Sequence, residues 1–216
     1  MANGVSVSEA APVAIAICDA VVEARDHLSE IDGATGDGDH GVNMAKGFRL
    51  AKDRLSAKPS NLKDSFFTIG DTLLGDIGGS MGPLYGSLFI EFSDGIAGET
   101  IDTATLATML KRAEDAITDL GEAKVGDKTL VDVLTPARQA ADDAAAANKE
   151  LGAALADVKD AAATGLESTR DLVAKRGRAA RLGERSRGVL DAGAASCELV
   201  LRTLADGLQR HLNTSN

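Results

Sequence analysis

The chain has 216 residues, a formal net charge of -10 at pH 7, and only 3% aromatic residues without tryptophan. Association with a polyphosphate draws its strength from counterions released by basic side chains, so direct nucleic-acid binding is not expected of so acidic a chain, nor is attachment to an anionic membrane. Hydrophobic residues make up 44%, but that mass is Ala, Leu and Val, which favours closely packed helices over sheets.

In chain order, the longest apolar stretch is Ala10 to Val22. It is interrupted by Asp19, falls short of the roughly 20 residues a membrane span needs, and has no basic segment ahead of it such as a signal peptide requires. Ile17, Val21, Ala24 and Leu28 recur at three- and four-residue steps and predict a helix over about residues 8–30. Comparable stretches predict helices over 41–56, 61–76, 82–97, 102–121, 128–147, 150–175 and 188–212, the one over 102–121 carried by Leu106, Leu110, Ala113, Ile117 and Leu120. Turn chemistry separates them at Asp32-Gly33, Gly36 to Gly41, Gly78-Gly79, Asp94-Gly95, Gly121, Gly126-Asp127 and Arg176 to Gly193. The expectation is a single all-α domain, residues 1–216, built as an eight-helix antiparallel up-and-down bundle or closed barrel, with no strand. Glycine-rich joins at one end would converge on one site. The run Ala140 to Ala147 reads as a close helix contact. Cys18 and Cys197 lie inside helical apolar patterns and read as buried free thiols, in keeping with a reducing, cytoplasmic setting.

The densest chemistry is the segment Ile31 to Met44, where Asp32, Asp37 and Asp39 lie on a loop with four glycines. Three carboxylates brought together repel one another unless a cation intervenes. Hard oxygen donors suit Mg²⁺, which commonly shares its shell with substrate phosphates, and this leads from the loop to a nucleotide. Gly36 to Gly41 formally fits G-x-G-x-x-G, but no strand precedes it and its internal carboxylates would repel a pyrophosphate. An EF-hand starting at Asp37 would place Gly41 and Phe48 where an oxygen ligand and a glutamate are needed. The plain alternative is a solvated acidic loop that caps the next helix. His40, at the start of that helix, is suited to donate to a phosphate oxygen or simply to pack.

Gly78-Gly79-Ser80-Met81-Gly82-Pro83 precedes a helix with proline in its first turn, which offers unpaired N–H groups to an anion or a close glycine-mediated contact to another helix. Gly126-Asp127-Lys128-Thr129 opens another helix with a basic side chain. Lys175 to Gly188 places six cations and one acid in fourteen residues. That reversal of charge suggests a phosphate-binding or partner-facing surface, since arginine grips phosphate oxygens in two-pronged fashion.

These four blocks, in this order and spread over essentially the whole chain, resemble the L subunit (DhaL) of the dihydroxyacetone kinase family and the matching C-terminal domain of its single-chain ATP-dependent members. The resemblance rests on Gly36-Asp37-Gly38-Asp39-His40-Gly41 with Asn43-Met44, on Gly82-Pro83-Leu84-Tyr85-Gly86, on Gly126-Asp127-Lys128-Thr129, and on Lys175-Arg176-Gly177-Arg178 with Leu182 to Ser186. It implies an eight-helix barrel with ADP or ATP held at one end through two Mg²⁺ ions. Asp32, Asp37 and Asp39 match the metal ligands; His40, Gly41 and Asn43 match the segment against the phosphates, with Ser80 and Met81 at the glycine-rich helix start. Gly121 and Leu130 match adenine-side contacts, and Arg178, Asp191, Ala192 and Gly193 the remaining nucleotide contacts. Met81 departs from the small hydroxyl residue common in the family. The resemblance further implies phosphoryl transfer to a hydroxyketone held covalently on a histidine of a partner K subunit. Dihydroxyacetone or another small ketose such as a tetrulose would be the acceptor, with Arg178 neutralising charge beside the three aspartates. A phosphohistidine M subunit of the phosphotransferase system, a transcription regulator to which the chain would report nucleotide state, and a second copy in a homodimer are the other partners it suggests.

Overall fold

The computed structural model describes residues 4–58 and 60–214. Among the described residues nine α-helices carry the fold: α1 (Ala11–Glu23), α2 (Arg25–Gly33), α3 (His40–Ala57), α4 (Leu62–Asp76), α5 (Met81–Gly95), α6 (Thr103–Gly121), α7 (Val131–Ala146), α8 (Leu151–Ser168) and α9 (Ala192–Thr214). Short 3-10 turns at Thr169–Asp171 and Ala179–Ser186 lie between α8 and α9. Each of α3 to α9 packs on the next, and α9 returns onto α1, which packs on α3. The eight longer helices therefore close into a ring, with α2 an added short helix against α3 and α9. Among the described residues no helix is long and apolar enough to cross a membrane.

Three expectations about element limits are revised. The first predicted helix is two, because the chain breaks at Ala24 (φ -77°, ψ 2°) and α2 buries only Leu28. A two-stranded antiparallel ribbon exists, β1 (Val5–Ser6) on β2 (Thr100–Ile101), pairing Val5 with Ile101; two residues are too few to show an alternating pattern. The helix expected over 128–147 starts only at Val131, since Gly126 and Lys128 take positive φ of 90° and 63°.

Caps explain other boundaries. Asn61 accepts from Asp64 N at 2.9 Å and Asp102 from Thr105 N at 2.8 Å, each satisfying an N–H that the first turn leaves open. The core joins Phe48, Phe66, Phe89 and Phe92, whose ring centroids lie 5.6 to 5.8 Å apart in edge and tilted contacts. Elsewhere small side chains set the helix spacing: Ala141 and Ala144 of the alanine run are fully buried, and a Cβ at Gly165 of α8 would strike the Asp132 carbonyl of α7. Leu120, expected on the core face of α6, is 54% exposed at the rim of that helix's last turn. Both thiols are buried; burial pushes Cys18 up to about 12 and Cys197 still further, so neither offers a thiolate.

Up-and-down winding has one consequence for chemistry. The N-termini of α3, α5, α7 and α9 meet the C-terminal ends of α2, α4, α6 and α8 at the same end of the ring, where all the cavity-lining loops lie. Four helix starts there turn the positive ends of their dipoles toward one region, a setting suited to an anion, while Asp32 and Asp191 take up the amides of His40 and Ala194.

Candidate functional site

Asp32 sits on the last turn of α2, and the chain turns back over it. Gly36 N donates to the Asp32 carbonyl at 2.5 Å, and a Cβ at Gly36 would come within 2.6 Å of Asp32 Oδ1. Gly38 turns the chain at φ 76°. Asp37 and Asp39 are thereby brought to Asp32, so that one carboxylate oxygen from each lies within 4.8 Å of the others. Asp32 Oδ2 accepts from His40 N, the first amide of α3, at 3.3 Å. Asp39 occupies the N-cap position of α3 but makes no capping bond with its side chain; the plain capping role therefore does not account for it. Both Asp37 and Asp39 instead face Arg178, whose guanidinium pairs with Asp37 and lies 3.3 Å from Asp39 Oδ2. An arginine brought 139 residues along the chain thus relieves the repulsion within the acidic loop. Three hard carboxylate oxygens at this spacing are a donor set suited to Mg²⁺.

Two adjoining cavities open here. The first, about 350 Å³, is lined by Asp32, Asp37, Asp39, Asn43, Gly78, Gly79, Arg176 and Arg178 among others. The second, about 330 Å³, has apolar walls from Leu84, Ile117, Ala123, Leu130 and Val131, with Gly121 and Asp191 to Gly193 at its edge. Asp32, His40, Ser80, Met81 and Arg176 line both. Of the residues matched by resemblance to metal or nucleotide contacts, Gly41 alone lines neither. It is buried where α3 crosses α2, and a Cβ there would collide with the Arg25 carbonyl and Ser29. Gly82 and Gly86 are likewise contact glycines, against Ile77 and Leu74. Gly78 and Gly79 are different: a Cβ on either would meet nothing within 4 Å, and Gly79 has φ 72°. That part of the glycine-rich join leaves bare backbone toward the polar cavity.

His40 is buried, with Nε2 2.9 Å from Ser196 Oγ. Burial lowers its pKa below the ordinary value against an upward pull from Asp32, so the ring is neutral near pH 7. Asp191 caps α9 by accepting from Ala194 N at 2.8 Å. Burial drives its carboxyl up to about 6, opposed by that N–H and by Lys128.

The basic loop is held at its neck. Lys128, 2% exposed, donates from Nζ to Thr169 O at 2.6 Å and Val189 O at 2.5 Å, the two ends of the loop. Asp127, also buried, lies 3.5 Å from Lys175 Nζ and from Arg176 Nε. Residue pattern assigns Lys128 only a helix-opening position; Arg178 is set apart from the other cations by resemblance, and the fold adds Arg176, which also lines the cavities, while Arg185 and Arg187 line neither. Lys128→Met keeps the stem and removes the donor from two carbonyls. A buried acceptor left unpaired costs about 1–3 kcal/mol, so thermal unfolding should occur several degrees lower. Trypsin should also cut between Arg176 and Arg187 faster than in the parent; an unchanged cleavage rate would show that Lys128 does not hold the loop.

The comparisons with known proteins follow this geometry. A DAK2 domain family model matches residues 34–206. The chain is 39% identical over 185 residues to the ADP-binding subunit DhaL of a PEP-dependent dihydroxyacetone kinase 1 from Listeria innocua, covering 85% of this chain and 88% of that one. It is 34% identical over 196 residues to a D-erythrulose kinase of Mycolicibacterium smegmatis, covering 88% of this chain and 34% of that enzyme. Among solved structures, the dihydroxyacetone kinase of C. freundii in complex with AMP-PNP and Mg²⁺ superimposes with a TM-score of 0.65 at 26% identity, over 92% of this chain and 33% of that one. The chain thus spans about a third of both of the latter proteins.

Proposed function

The chain belongs to the DAK2 domain family, and from that premise we propose that it is the nucleotide-binding component of a dihydroxyacetone-type kinase. In this reading it transfers the terminal phosphoryl group of ATP, either taken up free or regenerated from bound ADP, to a hydroxyketone carried by a partner K subunit and leaves ADP behind. The observation that carries the reading is the junction of a polar cavity bearing three carboxylates and two arginines with an apolar-walled cavity with room for a nucleobase. Asp32, Asp37 and Asp39 are the residues that would hold Mg²⁺, two ions by family resemblance. When bound, the metal would neutralise charge on the phosphates.

The chain's own residues supply the rest. Asn43, His40, Ser80 and the bare backbone at Gly78 and Gly79 offer donors where the phosphates would lie, and Leu130, Met81 and Gly121 line the place of the base. Arg178 stands where charge spreads over the transferring group, and the main catalytic contribution is positioning in line. The acceptor is fixed by the partner, so no general base is required of this chain. A phosphohistidine M subunit that rephosphorylates bound ADP is part of the same proposal, prompted by the name of the Listeria relative.

The test combines binding with transfer. ADP should bind in calorimetric titration only with Mg²⁺ present, and adding a K partner, dihydroxyacetone and a phosphoryl donor should yield the phosphorylated ketone. Binding that ignores Mg²⁺ would reject the metal assignment. A second reading, supported by the erythrulose kinase relative, is a tetrulose acceptor; running erythrulose beside dihydroxyacetone separates the two.

A further inference from the structure

Among the described residues, Arg176 is the one arginine or lysine that lines both cavities, and the reading above gives it no contact of its own. One edge of its guanidinium is tied to the loop between α6 and α7. Nη2 donates to the Glu122 carbonyl at 2.5 Å, and Nε lies 3.5 Å from Oδ2 of Asp127, a carboxylate only 3% exposed. Nη1, by contrast, approaches Glu122 Oε2 only at 3.9 Å, too far for a hydrogen bond, and that carboxylate is 83% exposed. The fold thus holds the guanidinium through Nε and Nη2 and leaves the donors of Nη1 for another group.

The place of Arg176 says which group that is. A nucleotide laid across the two cavities meets the apolar walls with its base and the aspartates with its outermost phosphate, so the shared wall faces the sugar and the phosphate next to it. Of the side chains on that wall, which are Asp32, His40, Ser80, Met81 and Arg176, only the last carries a fixed positive charge. An anion passing Asp32 needs such a charge beside it. A guanidinium already held by one edge is well placed to grip a phosphate oxygen with the rest of its donors. Gly177, at φ 65°, turns the chain between the two arginines, so Arg178 reaches Asp37 and Asp39 while Arg176 stays at the junction.

We propose that Arg176 is a further nucleotide-binding residue, donating from Nη1 to the phosphate nearest the sugar while Arg178 serves the outer phosphate. The inference rests on the nucleotide reading of the site. Its rival is that Arg176 only straps two loops together, and Lys175 provides the comparison. Lys175 Nζ donates to the Gly126 carbonyl at 2.8 Å and lies 3.5 Å from Asp127 Oδ1, so it belongs to the same strap, yet it lines neither cavity. Replacing either residue with methionine keeps the length of the stem and removes the donors.

The test is calorimetric titration with ADP and Mg²⁺, followed by competition against ADP with AMP and with adenosine. Arg176→Met should weaken ADP by about 10-fold, the lower end for a charge-assisted hydrogen bond because the side chain is 42% exposed. Lys175→Met should change it by less than about 2-fold, the level of an exposed ion pair. AMP keeps the phosphate assigned to Arg176 and lacks the outer one, so Arg176→Met should weaken AMP by the same factor as ADP, and Arg178→Met should leave AMP nearly unchanged. Adenosine should bind both variants as it binds the wild type. In the double variant the losses of ADP affinity should multiply, as independent contacts do. Equal losses for Lys175→Met and Arg176→Met overturn the proposal, since the strap alone then explains them. So does an Arg176→Met effect that vanishes in the Arg178→Met background, or wild-type protein that binds AMP no better than adenosine. If the wild type binds no ADP with Mg²⁺, the nucleotide reading fails first and this inference falls with it.

Discussion

Asp37→Ala should abolish Mg²⁺-dependent ADP binding while leaving the helical fold in place. Altering a residue that merely supports a metal ligand costs about 10- to 100-fold in metal affinity, so removing a ligand of the trio should cost at least about 100-fold. Stability should hardly move, and the reason lies in Arg178. Sequence alone suggests that deleting one carboxylate relieves repulsion and raises the melting temperature. In the structure Arg178 already offsets that repulsion by pairing with Asp37 and Asp39, and it is 58% exposed against 54% and 48% for the two carboxylates. An exposed pair is worth about 0–1 kcal/mol, so the gain and the loss nearly cancel. Calorimetry with ADP and Mg²⁺, beside thermal unfolding of the ligand-free variant, reads both quantities. Unchanged ADP affinity with Mg²⁺ present would remove Asp37 from the ligand set.

How much of this was legible in the sequence depends on how far apart the cooperating residues lie. The aspartate trio lies within eight positions, Asp32 on the last turn of α2 and Asp37 and Asp39 on the glycine-rich loop after it, so local spacing grouped it as the structure does. Helix faces were legible for the same reason, since periodicity is a local property. The break at Ala24 was not, because Ile17, Val21, Ala24 and Leu28 keep their spacing straight through it and no glycine or proline marks it. Gly41 was grouped with the phosphate loop although it serves the crossing of α2 and α3; a glycine needed for close approach and one needed for bare backbone look the same as letters. Ser196 lies in a run of small residues at the start of α9, 156 positions from its partner His40, and nothing in its neighbourhood signals a polar contact. The clasp made by Lys128 shares that difficulty, as its acceptors are backbone carbonyls that any residue would supply. Ring closure, finally, rests on α9 meeting α1, a contact between the two ends of the chain that short links imply only if every intervening helix alternates.

Arg178→Ala should change two affinities in opposite directions. With Mg²⁺ alone, the guanidinium competes with the ion for Asp37 and Asp39. Removing it frees the carboxylates, and because an exposed pair is worth about 0–1 kcal/mol, Mg²⁺ should bind up to about 5-fold more tightly. With nucleotide and Mg²⁺ together, the proposed function requires Arg178 to leave the aspartates for the phosphates along the wall of the cavity it lines. Losing a charge-assisted contact there costs about 1.5–3 kcal/mol, or roughly 10- to 150-fold in affinity for ADP with Mg²⁺. Arg178→Lys should restore the competition for the carboxylates but only part of the nucleotide affinity, since an ammonium does not reproduce a planar two-pronged contact. Arg185→Ala and Arg187→Ala lie outside both cavities and should leave both affinities nearly unchanged. The decisive pattern is the opposite signs: a residue that only stabilised the loop would weaken both affinities together when removed, and one that served only to dock a partner would change the second not at all. Equal ADP affinity for wild type and Arg178→Ala, combined with lost binding of the K subunit, would assign the basic loop to docking and take Arg178 out of the nucleotide site.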